Sequence, residues 1–199
     1  MLVLVRHGET EGNAARQLLG RAESPLTARG RSDATALGAA LGPVSRLVSS
    51  PLGRARHTAE ALGLDLPVEV DERWIEVDYG ELEGRALRAV PPELWSRWRA
   101  DSTFAPPGGE SLAEVGVRVR AACDELFGRA GEGARGVGDV VVVSHVSPVK
   151  AAVAWALGAG DDMVWRLYLA TASMTRIGWG QDGPVLRGYN ETVPALRTP

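Results

Sequence analysis

The run Leu2-Val-Leu-Val5 constrains this chain more than any other stretch. It is short, wholly apolar and ends abruptly at Arg6-His-Gly8. A run of this kind reads as a strand buried on both faces, the situation of strands in an α/β sheet. A cation, an imidazole and a glycine therefore stand at the carboxyl edge of the first strand, where open α/β sheets bind their ligands. Arg6 offers a fixed fork of donors to an oxyanion. His7 offers a nitrogen that is neutral, and so nucleophilic, near pH 7. Gly8 lets a backbone come close to a bulky group. The chain has three histidines, His7, His57 and His145, and the last ends a second β-branched run, Val140-Val-Val-Val-Ser-His145. Packing gives no reason for polar strand tips, so two strands each delivering an imidazole to the same edge point to a site.

At 199 residues the chain is long enough for one domain with an ordinary core. A formal net charge of -3 argues against general nucleic-acid binding but leaves room for a local cationic pocket. Of the 22 basic residues, Lys150 is the single lysine. Cys123 is the single cysteine, which rules out an intrachain disulfide, and its helical spacing with Val115, Val119 and Leu126 makes it a core residue. No apolar stretch is long enough to span a bilayer, and the first apolar run lacks the basic start of a signal peptide, so the cytoplasm is the expected compartment.

In chain order, Ala14 to Gly20 reads as a loop or short helical turn. Thr27 caps a helix from Ala28 to Leu41, which Gly42-Pro43 stops. A short strand, Arg46 to Ser49, precedes a helix opened by Ser50-Pro-Leu-Gly-Arg54 that runs to about Leu62. Pro67 to Val70 is another short strand. Glu72 to Gly84 is an acidic, aromatic loop, and Arg85 to Ala105 reads as short helical pieces carrying Trp95 and Trp98, two residues open to either a pocket or a core role. Ser111-Leu-Ala-Glu114 fits a capping box and opens an amphipathic helix to about Phe127. Gly128 to Gly138 reads as a glycine-rich surface loop. After the strand that ends at His145, Ser147-Pro148 starts a helix. Ser173 to Trp179 and Pro184 to Tyr189 form a hairpin across Gly180-Gln-Asp-Gly183.

Several motifs fail on context. Gly178-Trp-Gly-Gln-Asp-Gly183 matches a dinucleotide-binding string but lies between two strands, not between a strand and a helix. Lys150 lacks the glycines of a phosphate-binding loop, and no serine-hydrolase elbow exists. The histidines lack metal-ligand spacing. What survives is His7, His145, Arg6, Arg54 and Glu76. Arg54 near a helix start suits a phosphate dianion. His57, one turn later, reads as structural or supporting. Glu76 lies among other acids, and spacing alone does not single it out.

With these residues in view, the chain resembles the histidine phosphatase superfamily, the phosphoglycerate mutase-like proteins, over nearly its whole length. Arg6-His-Gly-Glu-Thr10 with Asn13 and Ser24-Pro-Leu-Thr-Ala-Arg-Gly30 resemble its first motifs. Ser49-Ser-Pro-Leu-Gly-Arg-Ala-Arg-His-Thr58 resembles its second arginine motif. Glu76-Val-Asp-Tyr-Gly80 with Glu83-Gly84 resembles its acid loop, and Pro107-Gly-Gly-Glu-Ser111 and Val143-Ser-His145 complete the set. The chain departs from the pattern at Val146-Ser-Pro148, at Leu19 and after Asn190. None of these removes a catalytic group; all concern the rim of the substrate pocket.

The resemblance implies an α/β three-layer sandwich: a mostly parallel sheet, helices on both faces, and a small helical cap inserted at about 81–107 in a single domain spanning 1–199. It implies His7 as the nucleophile that becomes phosphohistidine. Arg6, Arg54 and His145 would bind the phosphoryl group, Glu76 would donate a proton to the leaving group, and Asn13 and the backbone near Gly20 would contact phosphate oxygens. No metal and no cofactor are implied. The expected activity is hydrolysis of a small-molecule phosphomonoester, with no nucleic-acid or membrane partner and with a homodimer left open. The alternatives are a cofactor-dependent phosphoglycerate mutase, for which the insertion is short, and a non-catalytic phospholigand-binding module, against which the intact catalytic set argues.

Overall fold

A computed structural model gives the structure and describes residues 1–133 and 138–193. In chain order the elements are β1 (Leu2–Arg6), α1 (Glu11–Ala14), α2 (Ala28–Ala40), β2 (Val44–Ser49), α3 (Gly53–Ala61) and β3 (Val68–Val70). There follow α4 (Pro92–Ala100), α5 (Leu112–Gly133), β4 (Asp139–Ser144), α6 (Val146–Ala156), β5 (Ser173–Trp179) and β6 (Pro184–Thr192). The strands form one sheet in the order β3-β2-β4-β1-β5-β6. β3, β2, β4 and β1 run parallel, and the hairpin β5-β6 joins β1 antiparallel. The mostly parallel α/β sheet expected from the sequence is therefore the one that forms, with an antiparallel edge.

The alternation of β1 shows why helices must cover both faces. Leu2 and Leu4 pack with Val115, Val119 and Cys123 of α5 and with Val149 and Ala152 of α6. Val3 and Val5 point the other way, against Leu37 of α2 and Ala55 and Ala59 of α3. The side chains of Leu2 to Val5 are all buried, which accounts for the unbroken apolar run. A third apolar cluster lies off the sheet, where Leu18, Leu82, Trp98, Phe104, Leu112 and Val164 pack together.

The caps read from the sequence form as expected. Thr27 Oγ1 accepts the Gly30 N–H, and Ser111 Oγ and the Glu114 carboxylate satisfy each other's backbone N–H groups. Boundaries differ at strand ends, where β2 begins at Val44 and β6 runs to Thr192, and most of all in one helix. The long helix does not stop near Phe127 but continues through Gly128 to Gly133. A helical glycine costs about 1 kcal/mol relative to alanine, and it ends a helix only where the chain turns left-handed. The expected loop Gly128 to Gly138 is thus partly helix, and its residues 134–137 lie outside the described ones. A 3-10 turn at Asp161–Arg166, which carries no strong sequence signal, brings Val164 and Trp165 to the off-sheet cluster. Among the described residues no helix is long and apolar enough to cross a membrane.

Candidate active site

Parallel pairing aligns the carboxyl ends of three adjacent strands. Arg6 of β1 is in register with Ser144 of β4, and Ser49 of β2 with Val143 of β4. The next residues, His7, His145 and Ser50, therefore emerge side by side. The His7 N–H donates to the Ser144 carbonyl (2.9 Å) and the Ser50 N–H to the Val143 carbonyl (2.9 Å), so the pairing extends to the site itself. The imidazoles of His7 and His145 lie with ring centroids 5.1 Å apart.

The tautomer of His7 is set by its own chain. Its Nδ1 lies 2.7 Å from the Gly8 carbonyl oxygen. A carbonyl only accepts, so Nδ1 carries the proton and the lone pair sits on Nε2. Burial, with the charges of Arg6 and Arg54 added, holds the His7 pKa well below its usual value, and the ring stays neutral. His145 is buried as well and is held neutral by the same loss of water and by Arg54. Its Nε2 meets Ser50 Oγ at 2.7 Å, while its Nδ1 is buried without a partner among the described residues.

Gly8 permits a close approach, although to backbone and not to a ligand. A Cβ there would lie 2.3 Å from the Gly30 carbonyl oxygen of α2. The Gly8 N–H donates to Thr58 Oγ1 (3.0 Å), whose hydroxyl donates to the Arg54 carbonyl (2.7 Å). Thr58 is thus the residue of α3 that supports β1. His57, expected to be structural or supporting, is exposed.

Arg6 and Arg54 are fixed by backbone carbonyls. Arg6 Nη1 donates to Leu169 O at 2.6 Å. Arg54 donates to Ala22 O at 2.8 Å and, through Nη2, to Gly20 O. Each keeps a buried Nε–H with no acceptor among the described residues. Burial lowers the pKa of both, Arg6 and Arg54 alike, and an arginine nonetheless stays charged. Buried charge without a full set of acceptors is costly and is typical of a site that a ligand anion completes. The Gly20 backbone, expected to touch phosphate, has its N–H donated to Glu83 (2.8 Å), which also receives the Arg21 N–H (3.1 Å). In this arrangement Gly20 supports Arg54.

Glu76 is 3% exposed and lies at the N-terminus of α6. One oxygen accepts the N–H groups of Val77 (2.9 Å) and Ser147 (3.1 Å); the other accepts that of Val146 (3.0 Å). Free helix N–H groups suit a carboxylate, and here they tie the acid loop to the strand end that carries His145. Asn13 Oδ1 accepts from both the N–H and the hydroxyl of Thr10, capping α1.

Arg6, His7, Asn13 and Glu76 line a cavity of about 400 Å³. Arg54 and His145 are buried and outside its wall. The far side is aromatic. Trp95 stacks on Trp98 with ring centroids 5.7 Å apart, and Trp165 meets both edge-on. Both tryptophans weighed from the sequence therefore line the cavity, and Trp98, 1% exposed, is core at the same time. Trp165 and Ser50 were not singled out by sequence, and Lys150 was weighed only as a phosphate-loop lysine and rejected. Among the described residues no group of three or more His, Cys, Asp or Glu side chains is placed to hold a metal ion.

The bifunctional protein Rv2228c of Mycobacterium tuberculosis is 40% identical over 190 residues, covering 92% of this chain and 51% of that protein. The chain thus spans about half the length of such relatives. A probable phosphoglycerate mutase GpmB of Serratia proteamaculans is 33% identical over 194 residues, covering 94% of this chain and 88% of that one. A solved mycobacterial glucosyl-3-phosphoglycerate phosphatase in complex with VO3 superposes with a TM-score of 0.86 at 32% identity, covering 96% of this chain and 98% of that chain. Residues 2–192, the stretch that builds the sheet and delivers both buried imidazoles to its edge, match the histidine phosphatase superfamily (branch 1), and the chain belongs to that superfamily.

Proposed function

We propose that this protein is a metal-independent phosphomonoester hydrolase acting on a small phosphorylated metabolite through a phosphohistidine. The observation that carries the reading is the tautomer of His7, whose lone pair sits on Nε2 in a cavity shared with Arg6 and Glu76. In the first step the Nε2 lone pair forms a bond to phosphorus and the ester P–O bond breaks. Glu76 gives the leaving oxygen its proton. In the second step Glu76 takes a proton from water as the water oxygen attacks phosphorus. The P–N bond breaks, releasing inorganic phosphate and neutral His7. Arg6 and Arg54 supply the positive charge that phosphoryl transfer needs, and His145 adds a buried N–H. Residues 81–107 serve as a cap that holds the leaving group against the tryptophans.

The test is to mix enzyme with a phosphorus-labelled ester and quench in base within milliseconds. Label stable in alkali, labile in acid and lost in His7→Ala is the expected result; label on His145, or a strict need for a divalent metal, would reject the reading. The similarity to a probable phosphoglycerate mutase favours isomerisation as the second reading. Rapid interconversion of phosphoglycerates with little release of inorganic phosphate would select it.

A further inference from the structure

The proposed chemistry uses Arg6, His7 and Glu76 but leaves Lys150 without a task. Lys150 is the single lysine of the chain, and it lines the cavity. It is half-buried, and among the described residues it has no ion pair or hydrogen bond. Among the described residues Glu76 is the one acid in the cavity wall, and three backbone N–H groups already occupy its oxygens. Arg6, in turn, repels the ammonium, and this repulsion adds to burial in lowering the Lys150 pKa, while the charge of Glu76 opposes both without cancelling them. A desolvated ammonium beside a second cation is unfavourable unless something anionic joins it.

Position indicates where that anion belongs. Val146, Ser147 and Lys150 all line the cavity, so they share one face of α6. Val146 and Ser147 hold the carboxylate of Glu76, which protonates the leaving oxygen in the proposed reaction. Lys150 lies one turn further along, about 5 Å of helix. The opposing wall is Trp95, Trp98 and Trp165. A leaving group that fits has an apolar or aromatic body for that wall and one negative charge toward α6. Arg16 also lines the cavity but is exposed to solvent, whereas the half-buried ammonium of Lys150, a point charge with three donors, matches a monoanion.

We propose that Lys150 binds a carboxylate on the leaving group, and that the substrates of this site are aromatic or similarly apolar phosphomonoesters bearing that carboxylate. The substrate class rests on the phosphatase reading; the carboxylate site does not.

The experiment uses both binding and turnover. Phenylphosphonate and 3-carboxyphenylphosphonate, which cannot be hydrolysed, are titrated calorimetrically into the wild-type protein, Lys150→Met and Lys150→Arg. Phenyl phosphate and 3-carboxyphenyl phosphate are assayed for kcat/KM with the same proteins. The carboxylated member should be favoured about ten- to hundredfold by the wild type, the range of one charge-assisted hydrogen bond. The ratio should fall to within about threefold of unity in Lys150→Met and be partly kept in Lys150→Arg. A wild-type ratio near one, or a preference that survives in Lys150→Met, would overturn the assignment. Lys150-dependent preference for the phosphonate without turnover of either ester would reject the phosphatase reading and keep the carboxylate site. Neither binding nor turnover would reject both.

Discussion

Glu76→Gln should not behave as a silent isostere, because both carboxylate oxygens are occupied by donors. If the amide oxygen replaces the one that accepts Val77 and Ser147, the amide nitrogen faces the Val146 N–H at about the present 3.0 Å. If it takes the other position, two N–H groups face a donor instead of one. The first rotamer is the cheaper, and it leaves one N–H unsatisfied at a cost of about 1–3 kcal/mol. Losing the negative charge at the α6 N-terminus adds roughly 0.3–1 kcal/mol. Together these give a loss of about 1.3–4 kcal/mol, or about 3–16 °C in Tm at the roughly 2–4 °C per kcal/mol of a domain this size. Calorimetry on the folded variant reads the shift directly. Activity should separate by leaving group, with a larger loss on glycerol phosphate, whose alkoxide needs a proton, than on p-nitrophenyl phosphate, whose phenolate does not. A Tm within about 1 °C of the wild type would show that the three N–H groups contribute no stability, contrary to the range used here. Equal losses on both esters would remove Glu76 as the proton donor.

Three further outcomes follow from the same geometry. His7 and His145 both have depressed pKa values in the folded protein, through burial first, so the unfolded chain binds the extra protons. Their contribution to stability is complete above the unfolded pKa near 6.5 and drains as pH falls below it, with a slope approaching about 1.4 kcal/mol per pH unit for each ring; urea denaturation between pH 7.5 and 5.5 would refute this if the stability stayed flat. Gly8→Ala would press a methyl to 2.3 Å from the Gly30 carbonyl, so a loss of about 1–3 kcal/mol and a fall in kcat are expected, and an unchanged melting curve would contradict the contact. Ser50→Ala removes the hydroxyl 2.7 Å from His145 Nε2, so the ring loses a positioning contact and kcat should drop more than KM rises; an unchanged kcat would show that Ser50 does not position it.

The fold was legible because each buried strand writes its own pattern. Leu2-Val-Leu-Val5 and Val140-Val-Val-Val143 are apolar without interruption, since helices cover both faces, and the polar residue after each run marks the sheet edge. His7 and His145 inherited their visibility from those strands. Glu76 had no such frame. It sits in an irregular acidic loop where Glu72, Glu81 and Glu83 have the same local chemistry, and only the family resemblance favoured it. What distinguishes Glu76 is distant in sequence, namely two N–H groups 70 and 71 residues away.

The same reasoning explains why Ser50 and Thr58 escaped notice and why Lys150, though noticed, was given no role. Ser50 acts through an imidazole 95 residues distant, and Thr58 through a backbone N–H 50 residues distant. No spacing rule connects partners that a sheet register brings together. His57 drew attention because histidine is a rare and reactive residue type, yet its side chain faces solvent while that of Thr58, one position on, is buried against the site. On a helix, one position is a rotation of about 100°, enough to exchange the core face for the solvent face. Residue chemistry thus found the groups that react, whereas the groups that hold them were set by register and helix phase. Lys150 lies between these classes: its residue type was conspicuous as the single lysine, and its meaning depends on sharing a face of α6 with the two N–H groups that hold Glu76.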